Sequence, residues 1–194
     1  MKFRYTKIWV LSLVACSDSV FAGELLIKQD SIGGKIETTV LADNLEFSID
    51  VDQQGRENSM NLELGSDIRG RLKQSGNNGR LKLDTQGRDQ QIDAVQIGSN
   101  NELLMNLYGS DIELHINQAG DLNSVVYNAN GSDNFGHILQ SGHRNVVRLS
   151  QYGDGNVARL EQHGDNNFLD IEQNHRNIVL SIIQFGSGDS VTIK

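Results

Sequence analysis

Proline is absent from this chain of 194 residues, although an average usage of about 5% would give roughly ten. Proline removes a backbone hydrogen-bond donor and is excluded from the interior strands of sheets, so its absence favours continuous strand stacking. Aromatic residues make up only 6% of the chain, which disfavours a large globular core. The composition therefore points towards an extended β-structure.

Disulfides and an excess of positive charge are also missing. Cys16 is the one cysteine, so no internal disulfide can form. The net charge is −8, and an acidic chain without a basic stripe argues against a nucleic-acid partner. The apolar run at residues 8–15 is too short to span a membrane, so we predict no transmembrane segment.

The start of the chain has the layout of a secretory signal peptide. Lys2, Arg4 and Lys7 precede the apolar run, and Val20-Phe-Ala22 supplies compact residues for cleavage after the alanine. Leu13-Val-Ala-Cys16 also has a lipobox-like form, which would instead place a lipid on the cysteine. We favour ordinary cleavage, which sends the remaining chain into an oxidising space without its cysteine.

Glycine, by contrast, is frequent and periodic. It recurs at every eleventh residue through half of the chain, and His175 occupies one later slot. A fixed period indicates a stack of near-identical units, each too small to bury a core alone. The glycines predicted to form turns are Gly65, Gly76, Gly87, Gly98, Gly109, Gly120, Gly131, Gly142, Gly153, Gly164 and Gly186.

Glutamine lies two residues before every second glycine, and asparagine often lies three residues after it. The true unit is therefore 22 residues, built from two unequal halves. Inward amides can form ladders along the stack, each amide pairing with its copy one unit away. The residues predicted to stack in this way are Gln53, Gln74, Gln96, Gln118, Gln140, Gln151, Gln162, Gln173, Gln184, Asn58, Asn101, Asn123, Asn145, Asn156 and Asn167.

Between the asparagine and glutamine slots the polarity alternates with period two, as at residues 145–151 and 178–184. This alternation predicts strands of about seven residues. Glycine with aspartate or asparagine between the strands is turn chemistry. Like strands recur every 22 residues, so we predict an all-β, two-sheeted β-solenoid rather than antiparallel hairpins. The predicted inward side chains are Leu81, Leu83, Leu103, Met105, Leu114, Ile116, Val147, Leu149, Leu169, Ile171, Leu180 and Ile182.

The periodicity divides the chain into three regions. Residues 1–22 are the predicted signal peptide, residues 23–62 are degenerate N-terminal laps, and residues 63–194 are a regular solenoid. A lap here means one 22-residue turn of the stack. Upstream, residues 47–53 and 58–62 fit the two strand types, while residues 25–29 and 36–40 are candidates for an earlier lap. Terminal repeats are often degenerate in this way.

A single lap should not fold alone. Each half-lap buries about two large apolar side chains, roughly 3–6 kcal/mol, whereas ordering its residues costs on the order of 15 kcal/mol. Stacking adds ladder hydrogen bonds and shared burial. The final lap, residues 184–194, has no polar cap over Val191 and Ile193, so we expect its edge to template another chain.

The pattern Gln-x-Gly-x-x-Asn-x-apolar-x-apolar-x-Gln, in laps of 22, resembles the curlin repeat. The match is strongest at residues 140–151 and 162–173, good over 53–194 and poor over 24–52. Curlins are the secreted subunits of curli, the functional amyloid fibres (a type of fimbrium or pilus) of Gram-negative biofilms. The family includes a major subunit and a minor nucleator, which these residues do not separate.

The resemblance implies several partners and a location. It implies passage through the periplasm with chaperones, then secretion through an outer-membrane pore in an unfolded state. It also implies polymerisation with itself or with a related curlin subunit, giving an extracellular fibre on the cell surface that supports adhesion and the biofilm matrix. No cofactor is implied.

Catalysis and metal binding are the alternatives to a structural function. Every turn is minimal, which leaves no room for a cleft around any carboxylate pair, so we predict that the chain is not an enzyme. His115 and His137 are 22 residues apart and outward, and should stack in adjacent laps. Two histidines without further ligands do not predict a metal site. The aspartates of the turns are interpreted as Asx-turn formers rather than calcium ligands.

Two functions therefore remain, a self-assembling fibre subunit and a monomeric adhesin or binding module displayed at the surface, with Cys16 as its lipid anchor site. An adhesin should present a uniform outward row of side chains. The outward positions of one strand type carry no such row, whereas the stacking positions are uniform, which favours assembly. These outward residues are Lys82, Leu104, Val126, Arg148, Asp170 and Thr192.

Overall fold

The computed structural model describes residues 6–11, 22–37, 46–63 and 68–194, and every regular element within them is a β-strand. Among these residues none forms a helix long and apolar enough to cross a membrane. Sheet A contains β1 (Thr6–Leu11), β2 (Ala22–Ile32), β4 (Glu46–Arg56), β6 (Leu72–Asn77), β8 (Gln91–Ser99), β10 (Glu113–Asp121), β12 (Phe135–His143), β14 (Val157–Asp165) and β16 (Val179–Ser187). Sheet B contains β3 (Lys35–Glu37), β5 (Ser59–Asn61), β7 (Arg80–Leu81), β9 (Glu102–Leu107), β11 (Ser124–Asn130), β13 (Val146–Tyr152), β15 (Phe168–Gln173) and β17 (Ser190–Ile193).

From β2 onwards, successive strands alternate between the two sheets, and each pairs in parallel with the strand of the same type in the next lap. In the regular part the register is 22 residues, so that Gln118 lies beside Gln140, which lies beside Gln162. The predicted two-sheeted β-solenoid is therefore confirmed, and the laps are not joined as hairpins.

The first strand is the exception to parallel pairing. β1 pairs antiparallel with β2, with Leu11 opposite Leu26. It lies within the segment predicted to be a signal peptide, and both the leader and its cleavage stay predictions. The boundary proposed at residue 63 also stays a prediction, since the strands on either side of it belong to the same two sheets.

In the early laps the glutamines remain side by side in sheet A, although these laps are not 22 residues long. Gln29, Gln53 and Gln74 are hydrogen-bonded neighbours separated by 24 and 21 residues. The turns absorb the difference, because the strands must keep like side chains on the same face. Of the segment at residues 36–40, the last three residues lie outside the described part of the chain, as does Gly65.

The core lies between the inward faces of the two sheets. The predicted inward side chains from Leu81 to Ile171 are all buried. Leu180 and Ile182 pack against the same core but are only partly buried. They lie on β16, which among the described strands has a neighbour on one side only, so that no described strand covers their outer flank.

One aromatic side chain enters this thin core. Tyr127 on β11 is fully buried, and a small residue opposite makes the space: a Cβ on Gly136 would lie 2.8 Å from Leu114 Cδ1 and 3.1 Å from Tyr127 Cε2. The phenol donates a hydrogen bond of 2.8 Å to Gln151 Oε1. Burial raises the pKa of the Tyr127 phenol. The sequence pattern did not single this residue out.

The predicted turn glycines of sheet A lie instead at the penultimate position of their strands, as Gly76 does in β6 and Gly98 in β8, and they form a column along the stack. Gly76 has a φ of 133°, and a Cβ there would overlap the carbonyl oxygen of Gly98. Most predicted turn glycines share this left-handed backbone, but Gly87 and Gly109 do not. At Gly87 the reason for glycine is close approach instead, since a Cβ would lie 2.7 Å from the carbonyl oxygen of Tyr108.

Candidate assembly ladders

Glutamine amides form a continuous hydrogen-bonded chain along sheet A. Each Nε2 donates to the Oε1 of the next lap, at 2.6–3.0 Å, and every member is buried. We call this row the glutamine ladder. Its members in order are Gln29, Gln53, Gln74, Gln96, Gln118, Gln140, Gln162 and Gln184.

The second hydrogen of each amide in the later laps bonds across the core to the opposite sheet. Gln140 Nε2 donates to the Ser124 carbonyl at 3.1 Å, and Gln162 Nε2 donates to the Val146 carbonyl at 3.1 Å. The amide nitrogen is thus satisfied both along the stack and across it. Leaving one buried amide without these partners would lower the free energy of unfolding by about 1–3 kcal/mol. The ladder therefore constrains the register of both sheets.

The glutamine ladder has a direction. All its donors point towards the C-terminal laps, so its last member, Gln184, offers a donor at that end, where Nε2 bonds only to the Phe168 carbonyl, at 3.3 Å. At the other end, no amide among the described residues donates to Gln29 Oε1. The two ends of the ladder therefore carry complementary hydrogen-bonding groups, although β1 pairs with the outer edge of β2.

Sheet B carries a shorter row of the same kind. Tyr127 donates to Gln151 Oε1, and Gln151 Nε2 donates to Gln173 Oε1 at 2.8 Å. In the preceding laps the same slot holds Leu107 and Ala129, both buried. Amide stacking in this sheet is therefore confined to its C-terminal laps.

The asparagine side chains do not pair with one another. The prediction that each asparagine amide bonds to the amide of its copy in the next lap is therefore wrong. Asn123 Oδ1 accepts the backbone N–H of Asn145 at 3.0 Å, and Asn123 Nδ2 donates to the Gly142 carbonyl at 2.9 Å. The side chain is short and follows the turn, so it reaches the backbone of the next lap instead of the neighbouring amide. The other predicted asparagines that contact the next lap are Asn58, Asn101, Asn145, Asn156 and Asn167.

Two features of these contacts were not in the predicted set. Asn134 makes the same clamp on sheet B, donating to the Gly153 carbonyl at 2.8 Å. Its signal was present, because it occupies the asparagine slot of the other half-lap. Gly79 breaks the asparagine column of the first half-lap: its backbone N–H donates to Asn58 Oδ1 at 2.9 Å, but it has no side chain to bond to the next lap.

The outward histidines lie where the sequence indicated. His115 and His137 are register partners in adjacent laps, with ring centroids 6.4 Å apart. His115 also contacts Glu113 at 3.0 Å. Within the described ranges no group of three or more His, Cys, Asp or Glu side chains is placed to hold a metal ion.

Comparison with known protein families identifies a match to the repeat. The curlin associated repeat matches residues 131–164 and 142–174. A search of curated proteins and a search of solved structures each gave no match. The matched residues hold two members of the glutamine ladder, both glutamines of the sheet B row and four of the asparagine clamps, and the curlin repeat is associated with extracellular curli fibres. Residues 131–174 of this chain are therefore similar to curlin associated repeats, and they form laps of the β-solenoid.

Proposed function

We propose that this chain is a structural subunit of an extracellular functional amyloid fibre, and that it assembles by stacking one solenoid on the end of another. The observation that carries the proposal is the direction of the glutamine ladder. Its C-terminal end offers an amide donor at Gln184, and its N-terminal end offers an acceptor at Gln29 once cleavage of the leader removes β1 from the edge of β2. Placing a second copy on the first would continue the ladder with the same geometry.

Burial favours the same contact. Leu180, Ile182 and Val191 are core residues by position but remain partly buried. Their strands, β16 and β17, each have one free backbone edge. Unpaired edges of this kind template further strands, and adding a lap covers the apolar side chains at about 25 cal/mol per Å² of apolar surface.

The predicted leader and the curlin repeat support a proposal for where the protein acts. We propose export across the inner membrane, passage with periplasmic chaperones and secretion through an outer-membrane pore, followed by folding onto a fibre end that supports surface adhesion and the biofilm matrix. Both the major and the nucleating subunit fit these features. The role proposed is structural and not enzymatic, and it involves no cofactor.

Seeded growth of the purified protein tests this proposal. We expect fibres by electron microscopy, amyloid-dye fluorescence that rises after a lag, and a shorter lag when preformed fibres are added. Gln184→Leu should slow growth about tenfold, because it removes the donor at one end of the ladder. Gln54→Leu is the matched control, since Gln54 points outward and bonds to Asp52 on its own strand.

One outcome would replace the proposal. If the protein stays monomeric at high micromolar concentration, with or without seeds, then assembly is wrong. The monomeric surface adhesin would take its place.

A further inference from the structure

The outer face of β16 lacks charge, unlike most strands of sheet A. Val179, Ile183 and Phe185 are 70%, 51% and 70% exposed, and Ser181 lies between them. Exposed edge strands are normally protected by charged side chains, and a contiguous apolar patch marks an interaction surface. We call these four residues the β16 patch. Outward charges on other strands of sheet A include Asp50, Asp52, Lys73, Asp93, Glu113, Arg159 and Glu161.

End-to-end stacking does not cover this patch. If Gln29 of a second copy continued the glutamine ladder beyond Gln184, the strand register would place Lys28 beside Ile183 and Asp30 beside Phe185. Those neighbours flank the apolar side chains but leave their outer faces in water. The patch therefore needs a partner that approaches from the side of the sheet.

The adjacent strand supplies a charge pattern that restricts this partner. On β14, Arg159 and Glu161 both point outward, two positions apart and opposite in sign. His163 follows on the same face and stacks on Phe185, with centroids 5.0 Å apart and ring planes 12° apart. A surface with one cation and one anion placed in this way can be complementary to itself.

We propose that a second copy of this chain packs its sheet A against the same face, through the β16 patch and β14, about a two-fold axis parallel to the stack. The axis lies outside sheet A, above the backbone of Leu160 and Ile182, which are register partners. Strands then meet antiparallel across the interface. Arg159 faces Glu161 of the second copy, and Val179 faces Phe185 of the second copy.

The charges select this orientation over its main alternative. A two-fold axis along the strands would keep the strands parallel and would place β14 against β16. Glu161, which contacts His163 at 3.3 Å, would then be buried against Ile183 without an arginine opposite it, which is costly. Only the axis parallel to the stack pairs both charges, and it also keeps the two stacks pointing in the same direction, so that paired fibres can grow together.

The two-fold axis parallel to the stack also limits how far the lateral interface extends along the fibre. On β4 it would place Asp50 opposite Asp52 of the second copy, so that like charges meet. Sheets twist, and two facing sheets can diverge away from a short contact. The interface is therefore confined to the C-terminal laps, where alternate uncharged side chains can interdigitate as in paired amyloid sheets.

Charge exchange on β14 is the decisive experiment. Arg159→Glu alone and Glu161→Arg alone each set like charges against each other, and should lower the fraction of laterally paired fibres at least about tenfold. The double exchange Arg159→Glu with Glu161→Arg restores opposite pairs and should restore pairing. Electron microscopy gives fibre widths, and amyloid-dye fluorescence follows growth in length on the same samples.

A second variant tests the patch itself. Phe185→Asp should abolish lateral pairing, whereas Thr192→Asp, an outward position of the last strand of sheet B, should leave it intact. Growth in length should persist in both, because end-to-end stacking uses the inward residues. Single unpaired fibres from the unmodified protein, or a double exchange that fails to rescue pairing, would overturn the proposal. Absence of any fibre would instead contradict the end-to-end function, on which the readout depends.

Discussion

At the scale of single residues, the two amide side chains do different work because their lengths differ. Glutamine reaches the middle of the core and bonds to its own copy, as Gln118 does with Gln140. Asparagine is one methylene shorter and bonds to backbone, as Asn145 does with the Gly164 carbonyl at 2.6 Å. The sequence predicts which amides turn inward, because spacing fixes the face. It does not predict the partner, which depends on how far each side chain reaches beyond the turn.

Tyr127 gives a prediction at the same scale. Burial raises the pKa of its phenol above the ordinary value near 10, so the unfolded chain loses this proton at a lower pH than the folded chain. The free energy of unfolding contributed by Tyr127 is therefore complete below about pH 10 and falls as pH rises further. Tyr127→Phe should weaken that alkaline loss, and it should lower stability near pH 7 by about 1–2 kcal/mol because Gln151 loses its donor.

Urea unfolding at several pH values measures both effects. Tyr152→Phe is the control, since Tyr152 is 42% exposed and should show neither effect. An unchanged pH profile in Tyr127→Phe would contradict the assignment of the alkaline loss to this phenol.

At the scale of the element, strands were predictable and turns only in part. Period two and the 22-residue repeat determine both the strand positions and their inward faces, from Ile49 to Ile171. Spacing locates the glycines, but it does not predict that those of sheet A lie at the ends of strands rather than in the turns. The residue directly before each asparagine slot, however, also has a left-handed backbone. This residue is often asparagine or aspartate, as at Asn100 and Asp133. In two laps it is Leu122 or Arg144 instead. These last two carry no local signal, so their backbone is imposed by the stack.

Leu122 tests that explanation. Its φ is 59° and its side chain is 39% exposed, so it occupies a left-handed position that asparagine tolerates better. Leu122→Asn should raise the free energy of unfolding by about 0.5–1 kcal/mol. The reverse change at the matching slot of the preceding lap, Asn100→Leu, should lower it by a similar amount. Thermal unfolding compares the two, and shifts in the same direction would refute a backbone origin.

The short strand β7 marks the least regular part of the stack. Only Arg80–Leu81 pair there, and Asp84 and Thr85 have left-handed φ values of 66° and 126°. Gly79 also interrupts the asparagine column in this lap. The sequence indicated degeneracy only before residue 63, but the structure places a weaker junction between the early laps and the regular ones. The asparagine clamp is missing in the same lap, because Gly79 occupies the asparagine slot.

At the scale of the whole molecule, the ladder makes the two ends unlike. A subunit with a blocked C-terminal lap can still join a fibre through its N-terminal lap, and the reverse holds for a blocked N-terminal lap. We therefore expect two classes of defective subunit, each stopping growth at one end only. Ile182→Lys places a charge on the inward face of β16, and Ile27→Lys does so on β2.

Fibres grown from labelled seeds distinguish these classes. Each variant, added at a small fraction of the unmodified protein, should stop extension at one end of the seed and leave the opposite end growing, and the two together should stop both. The outward controls Thr192→Lys and Asp30→Lys should leave both ends active, because their side chains do not enter the stack. If either inward variant alone stopped both ends, or if both variants stopped the same end, the ends would not be joined head to tail, and the direction of the glutamine ladder would not govern assembly.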